Sequence, residues 1–484
     1  MHACIYGLQH MHVDTGTILD CSFRNGALLS VGTIFLIQGI LWASHLMNTD
    51  AKESPVMWTG YILQIYGGYF LLSFTVLLYC LSCRIWHAFG IDYAAIFSDD
   101  SHDFLVWRQA AELPCWSYFL LGFTLIMNFH YTRSNVIYQY YPALLIGISV
   151  VLWLLPFKTC YHTSRMWLRR SLWRVCLAGL YRVEWWDIYI ADMLCSLTYS
   201  TGNISLFFCL YARGWSGPNE CDSSHSRALG FMTTLPSIWR ALQCLRRYLD
   251  TSYGKIHLLN SGKYILSIPF YVTLSMYRIC ETMPNRWIFI ALATVNSSVN
   301  GAWDICYDWG LGNAQAKYPF LRRELGFPCW LYYAAILVNI LLRFTWILYV
   351  AVPQQLQHSA ITSFGISVGE VCRRGLWSLF RIENEHYNRT SHLNNHEAPS
   401  HSSALFTELG PVAIQERCHS CVLKRSYQSL AYNHNDLTDG KQNRTSQCTS
   451  PAVPDCVFSA SSSCNCDNTS SACWDNGKRT SKRS

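Results

Sequence analysis

The sequence predicts an all-α polytopic membrane protein of about ten transmembrane helices, followed by a disordered cytosolic C-terminal tail. Three observations predict it. Hydrophobic residues make up 51% of the 484 positions and charged residues only 14%, whereas a soluble protein carries roughly a quarter charged. Apolar runs recur at the length of about 17 to 25 residues that crosses a bilayer. The modest mean hydropathy of +0.12 averages those runs with a polar end, from about Ser391 onward, whose Ser, Asn, Thr and Cys content cannot bury a core.

In chain order, Ala27–Met47, Met57–Cys80, Trp116–Tyr131 and Tyr138–Leu155 are free of Asp, Glu, Lys and Arg and read directly as spans. Ile188–Ala212, Ala228–Leu249, Tyr264–Tyr277 and Trp287–Trp309 follow, then Leu331–Val350, whose one charge is Arg343, and Ile361–Phe380. The four middle runs and the last hold ionisable or amide side chains, or a proline, and so predict helices that face a protein interior. Lys and Arg concentrate in alternate connections, such as 157–186 with Lys158, Arg165, Arg169, Arg170, Arg174 and Arg182. By the positive-inside rule these connections are cytosolic, as are both termini. The first run is too long for a signal-peptide core and is expected to remain as a span. The predicted organisation is a short cytosolic N-terminus (1–26), a four-helix region (27–156), a six-helix domain (157–388) and the tail (389–484).

Twenty-two cysteines raise zinc and disulfide readings. Cys418-His-Ser-Cys421 has ligand spacing and Cys464-Asn-Cys466 follows, but no second well-spaced pair completes a zinc module. No metal is expected, and the remaining cysteines read as reduced, small hydrophobes beside apolar spans. The sequons at Asn388, Asn443 and Asn468 fall on the cytosolic side. No phosphate loop of the GxxxxGK[ST] type is present, so neither nucleotide nor other cofactor is expected. The lumenal connections lack an acid pair suited to catalysis, which argues against an enzyme.

The informative residues are charges inside apolar runs, each costing about 3 kcal/mol at the bilayer centre on insertion scales. Asp192, Cys195 and Ser196 stand at i, i+3 and i+4, one helical face. Arg240, Gln243, Cys244 and Arg247 share another, Asp304 and Asp308 lie four apart, Arg343 and Trp346 three apart, and Glu370, Arg373 and Arg374 precede Trp377. Assembled in one bundle, these faces give several guanidiniums and fewer carboxylates, an interior that selects anions. The planar guanidinium fork stays protonated and matches a tetrahedral oxyanion, while the carboxylates hold the arginines in place and keep binding weak enough for release. Blander readings stand beside this one. Arg246, Arg247, Arg373 and Arg374 can snorkel from cytosolic helix ends, Asp308 can mark an interfacial helix end, and Arg240 and Arg343 can form structural ion pairs. Most Trp and Tyr residues read as belt and packing material.

These same residues carry a family resemblance. Asp192 to Thr198, Arg240 to Asp250, His257 to Tyr264, Trp303 to Leu311, Leu342 to Trp346, and Arg373-Arg374 through His386 together resemble the EXS domain, the membrane domain of eukaryotic phosphate exporters and of a Golgi protein required for retention of resident ER proteins. The resemblance implies an inorganic phosphate exporter whose last six helices enclose the path. Its phosphate-contacting set would be Asp192, Thr198, Arg240, Lys263, Tyr264, Asp304, Asp308, Arg343, Trp346, Glu370, Arg373 and Arg374. The exporters' Asn is Cys195 here and their Ser is Thr198. Only some 26 residues precede the first span, where the plasma-membrane exporters carry a Lys-rich SPX domain. The resemblance is therefore to the short Golgi branch, returning lumenal phosphate to the cytosol in support of glycosylation and of retention of ER and Golgi residents. The alternative is a membrane scaffold for Golgi glycosyltransferase sorting machinery. The expected partners are phosphate and membrane lipids, with a homodimer left open. The net charge of +7 divides between loop residues and buried arginines, so no nucleic acid is expected.

Overall fold

The computed structural model describes residues 15–48, 54–97, 107–130, 139–156, 161–251, 254–313, 316–351 and 360–397. Among them there is no strand. The long helices are α1 (Thr15–Asn48) and α2 (Ser54–Ala88), then, after the short α3 (Tyr93–Phe97) and α4 (Trp107–Ala110), α5 (Glu112–His130) and α6 (Tyr141–Leu154). Helix α7 (His162–Cys176) leads to α8 (Trp185–Leu194), α9 (Thr198–Ala212), α10 (Arg227–Asp250), α11 (Lys255–Ile279) and α12 (Met283–Trp303). A π-turn (Asp304–Asp308), α13 (Cys329–Arg343), α14 (Ile347–Ala351) and α15 (Ala360–Glu397) complete the order.

Local chemistry sets several helix starts. Ser226 accepts from the Leu229 amide at the head of α10, Glu184 and Asp187 form a reciprocal capping box on α8, and Pro142 and Pro284 occupy first-turn positions where no amide is needed. Helices α1 and α5 approach closely because glycines face each other: a Cβ on Gly122 would lie 2.5 Å from the Gly32 carbonyl oxygen.

The protein is an all-α membrane protein, and the ten apolar runs are helical over their described residues, apart from the interruptions noted below. Among the described residues, three segments are long and apolar enough to span by composition alone: Asp20–Met47, Trp58–Ala88 and Cys329–Ala351. The others are shorter or carry polar groups, and they bury those groups against neighbouring helices. Contacts between helix ends sort the connections into two sides. On one, Tyr61 donates to Asn219 at 2.9 Å, Trp58 packs edge-on to Trp215, and Arg278 reaches Ser363 at 3.5 Å. This is the side poor in Lys and Arg. On the other, Trp86 donates to the Leu379 carbonyl, Arg389 to the Ala95 carbonyl, and an aromatic cluster gathers Trp86, Phe97, Trp186, Tyr189, Trp309 and Phe380.

Four sequence expectations are corrected. The run Ile188–Ala212 is two helices bent by 66° at residues 195–197, so Asp192 is helical while Cys195 and Ser196 lie in the bend. Helical spacing likewise fails between Arg343, the last residue of α13, and Trp346, which sits in the turn before α14. Not every cysteine is reduced, because Cys209 and Cys221 form a disulfide with a Cα–Cα separation of 5.7 Å. Residues 389–397 continue α15 rather than opening the tail. The Cys418–Cys421 and Cys464–Cys466 pairs and the sequons at Asn443 and Asn468 lie outside the described residues.

Candidate functional site

The interruptions border a cavity of about 310 Å³ between α2 and α9–α15. Its lining runs from Tyr61, Asp222 and Arg278, on the charge-poor side, inward to Ser196, Arg343 and Arg374. A helix break frees backbone groups and lets polar side chains turn inward, which membrane-depth backbone tolerates only where it lines a cavity or is buried in protein.

Six of the twelve residues singled out from the sequence line this space: Thr198, Tyr264, Arg343, Trp346, Glu370 and Arg374. Asp192, Arg240, Asp304 and Arg373 stand behind them as partners. Asp304 Oδ2 accepts from Arg343 Nη2 at 2.6 Å, Arg343 Nε at 3.1 Å and Arg373 Nη1 at 3.2 Å. Arg373 is fully buried, and it also forks onto Glu370 at 2.6 and 2.8 Å and donates to Asn339 at 3.1 Å. Ser196 joins the remaining pieces, donating to Glu370 at 2.7 Å and accepting from Arg374 Nε at 2.8 Å. A second knot lies deeper: Asp192 Oδ1 accepts from Arg240 Nε at 2.7 Å and from Tyr264 at 2.5 Å, and Gln243 receives Arg240 Nη1 at 3.0 Å.

Lys263 and Asp308 are placed differently. Lys263 lies 4.5 Å from the centre of the Tyr264 ring and 5.2 Å from that of Trp303, with no ion pair within 4 Å among the described residues. Asp308 accepts from Trp377 Nε1 at 3.1 Å and lies 3.8 Å from Arg381. The burial of Arg373 and Arg374 removes the snorkelling alternative for that pair, whereas Arg246 does pair with Asp250 near the end of α10.

The donors left over matter most. Arg343 Nη1 and both terminal nitrogens of Arg374 bond no described residue, and the buried Trp346 indole N–H is also without a partner among them. Arg343 is held by the Asp304 carboxylate and Arg374 by the Ser196 hydroxyl, and each guanidinium keeps unused donors. That arrangement can receive an oxyanion.

Sequence reasoning left several participants out of the site. Ser196 was visible as a polar residue in an apolar run, as were Asn296 and Asn300, which line the cavity at i and i+4 of α12. Tyr271, which also lines the cavity, carried no signal because tyrosine is common throughout. A latch on the Lys/Arg-rich side was also missed: the fully buried Glu383 forms an ion pair with Arg322 at 2.5 Å and accepts from the Gly326 amide at 2.7 Å and from Tyr332, tying Arg322 and Gly326 to α15.

A family model described as "EXS family" matches residues 62–387. The chain is 38% identical over 372 residues to the Protein SYG1 homolog of Schizosaccharomyces pombe, covering 76% of this chain and 53% of that protein. It is 29% identical to Solute carrier family 53 member 1 of Homo sapiens (76% and 55%) and 31% identical to Phosphate transporter PHO1 homolog 10 of Arabidopsis thaliana (74% and 47%). The chain thus spans about half the length of the curated relatives it matches.

Proposed function

The chain belongs to the EXS family, and from that membership we propose that it is an inorganic phosphate exporter moving phosphate from the Golgi lumen to the cytosol. One observation carries the proposal: the unused donors of Arg343 and Arg374 stand at one cavity, with Arg343 held by Asp304 and Arg374 by Ser196. A relative named as a phosphate transporter supports phosphate as the anion. The twelve residues named above form the path, six as its lining and the rest as the partners and inner charges behind it.

Two features support the direction. The cavity reaches toward the side poor in Lys and Arg, which is the lumenal side by the positive-inside rule. That side also holds the Cys209–Cys221 disulfide, a bond that persists in oxidising compartments. The Golgi as the organelle, with support of glycosylation and protein retention as its consequence, is part of the proposal, and localisation of the tagged protein tests it. The transport itself is tested with purified protein in liposomes loaded with phosphate. Release above that of empty liposomes, lost in Arg343→Ala, is the expected result. Equal release from empty and protein-containing liposomes overturns the proposal.

A further inference from the structure

Glu370 differs from the other groups at the inner end of the cavity because it can only accept. Its Oε1 receives Ser196 Oγ at 2.7 Å and Arg373 Nη2 at 2.6 Å, while Oε2 receives Arg373 Nε at 2.8 Å. The bidentate guanidinium favours the ionised carboxylate. With two lone pairs on each oxygen, Oε1 is satisfied and Oε2 retains one acceptor site. The side chain keeps 27% exposure and lines the cavity, so that acceptor site is accessible to what the cavity holds. The other carboxylate of the lining, Asp222, stands at the outer end and already accepts from Ser224 and lies 3.3 Å from His225.

An oxyanion drawn in by Arg343 and Arg374 therefore also meets a fixed negative acceptor. Phosphate near neutral pH retains at least one P–OH in each of its prevailing forms, and that proton can be donated to Glu370. Sulfate at the same pH has none. It would set a bare oxygen against a carboxylate, leaving both acceptors unpaired in a partly desolvated site. Sites built to hydrogen-bond a substrate hydroxyl reject analogues lacking it by up to about 10⁴- to 10⁵-fold.

We infer that Glu370 is the residue that sets specificity, admitting oxyanions that carry a proton and rejecting those that carry none. The inference rests on the transport reading above and names the feature of the anion that the path recognises. In liposomes, the wild-type protein is expected to move phosphate and arsenate, which share the protonated oxygen, and to move sulfate and selenate at less than about one tenth of that rate. In Glu370→Gln, the amide N–H₂ can donate to a bare oxygen, and the phosphate-to-sulfate ratio is expected to fall at least tenfold, about 1.4 kcal/mol of discrimination. A monodisperse Glu370→Gln protein that still rejects sulfate at the wild-type ratio overturns the inference. So does wild-type phosphate flux inhibited as well by selenate as by arsenate, a measurement that needs no variant. Wild-type protein that moves none of the four anions overturns the transport reading itself, and is thereby distinguished from a failure of selectivity.

Discussion

Removing the Arg343 guanidinium is expected to cost little stability and most of the phosphate flux. Both hydrogen bonds of Arg343 to the network end on one atom, Asp304 Oδ2, and that atom keeps Arg373 at 3.2 Å after the change. No carboxylate is orphaned, so the roughly 3–5 kcal/mol cost of breaking a buried pair does not apply. The two bonds share one acceptor and count together as one charge-assisted interaction of about 1.5–3 kcal/mol, and the 14% exposure of the side chain places it toward the lower figure. The transported anion loses one charge-assisted donor of the same strength, and at 1.4 kcal/mol per decade this weakens binding by roughly 10- to 150-fold. The assay pairs thermal stability of detergent-purified Arg343→Ala with liposome flux at sub-saturating phosphate. A folded variant with wild-type flux would refute the assignment of Arg343 to the path, and a variant that fails to fold would refute the claim that Arg373 alone supports Asp304.

Arg240→Ala is the contrasting case, because Asp192 would keep only the Tyr264 hydroxyl; a destabilisation of about 3–5 kcal/mol is expected, read as a large drop in melting temperature, and an unchanged melting temperature would contradict it. Gly310 has φ +63°, and a Cβ there would fall 2.5 Å from Asn384 Oδ1, so Gly310→Ala is expected to destabilise by about 1–3 kcal/mol, measured in the same way. Glu383→Ala releases Arg322, the Gly326 amide and Tyr332 together, and faster proteolysis within 309–328 is expected, with a wild-type cleavage pattern as the opposing result. Maleimide-polyethylene glycol is expected to label Cys209 and Cys221 only after reduction of the denatured protein, and labelling of both without reductant would exclude the disulfide.

The charged side chains of the site were legible because the bilayer makes a polar side chain conspicuous: Arg240, Arg343, Asp192 and Asp304 stood out against apolar neighbours before any partner was known. The partners themselves were not legible. Arg373 meets Asp304 across 69 residues and Ser196 meets Glu370 across 174, and one sequence holds no record of such pairings. The helix breaks were hidden for a different reason. Pro236 and Pro269, the usual breakers, lie inside α10 and α11 without ending them, whereas the interruptions fall at Cys195–Leu197 and Phe344–Trp346, where neither Gly nor Pro marks the place. Tertiary contacts decide there, with Ser196 drawn to Glu370 and Arg374, and Trp346 packed on Phe289. The disulfide was equally concealed, since twelve residues separate cysteines that look alike within a chain rich in them.

The one-sided cavity also changes where electrical work is done. A transmembrane voltage falls mainly across low-dielectric material, so a polar recess entering from one face leaves most of the drop to the sealed layer beyond it, around Asp192, Arg240 and Lys263. Each elementary charge crossing the full potential exchanges about 2.3 kcal/mol per 100 mV. An anion descending to Arg343 and Arg374 would spend little of that, and the short remaining step past the inner charges would spend nearly all of it. Entry into the recess is then almost indifferent to membrane potential, and passage through the sealed layer is the voltage-sensitive step.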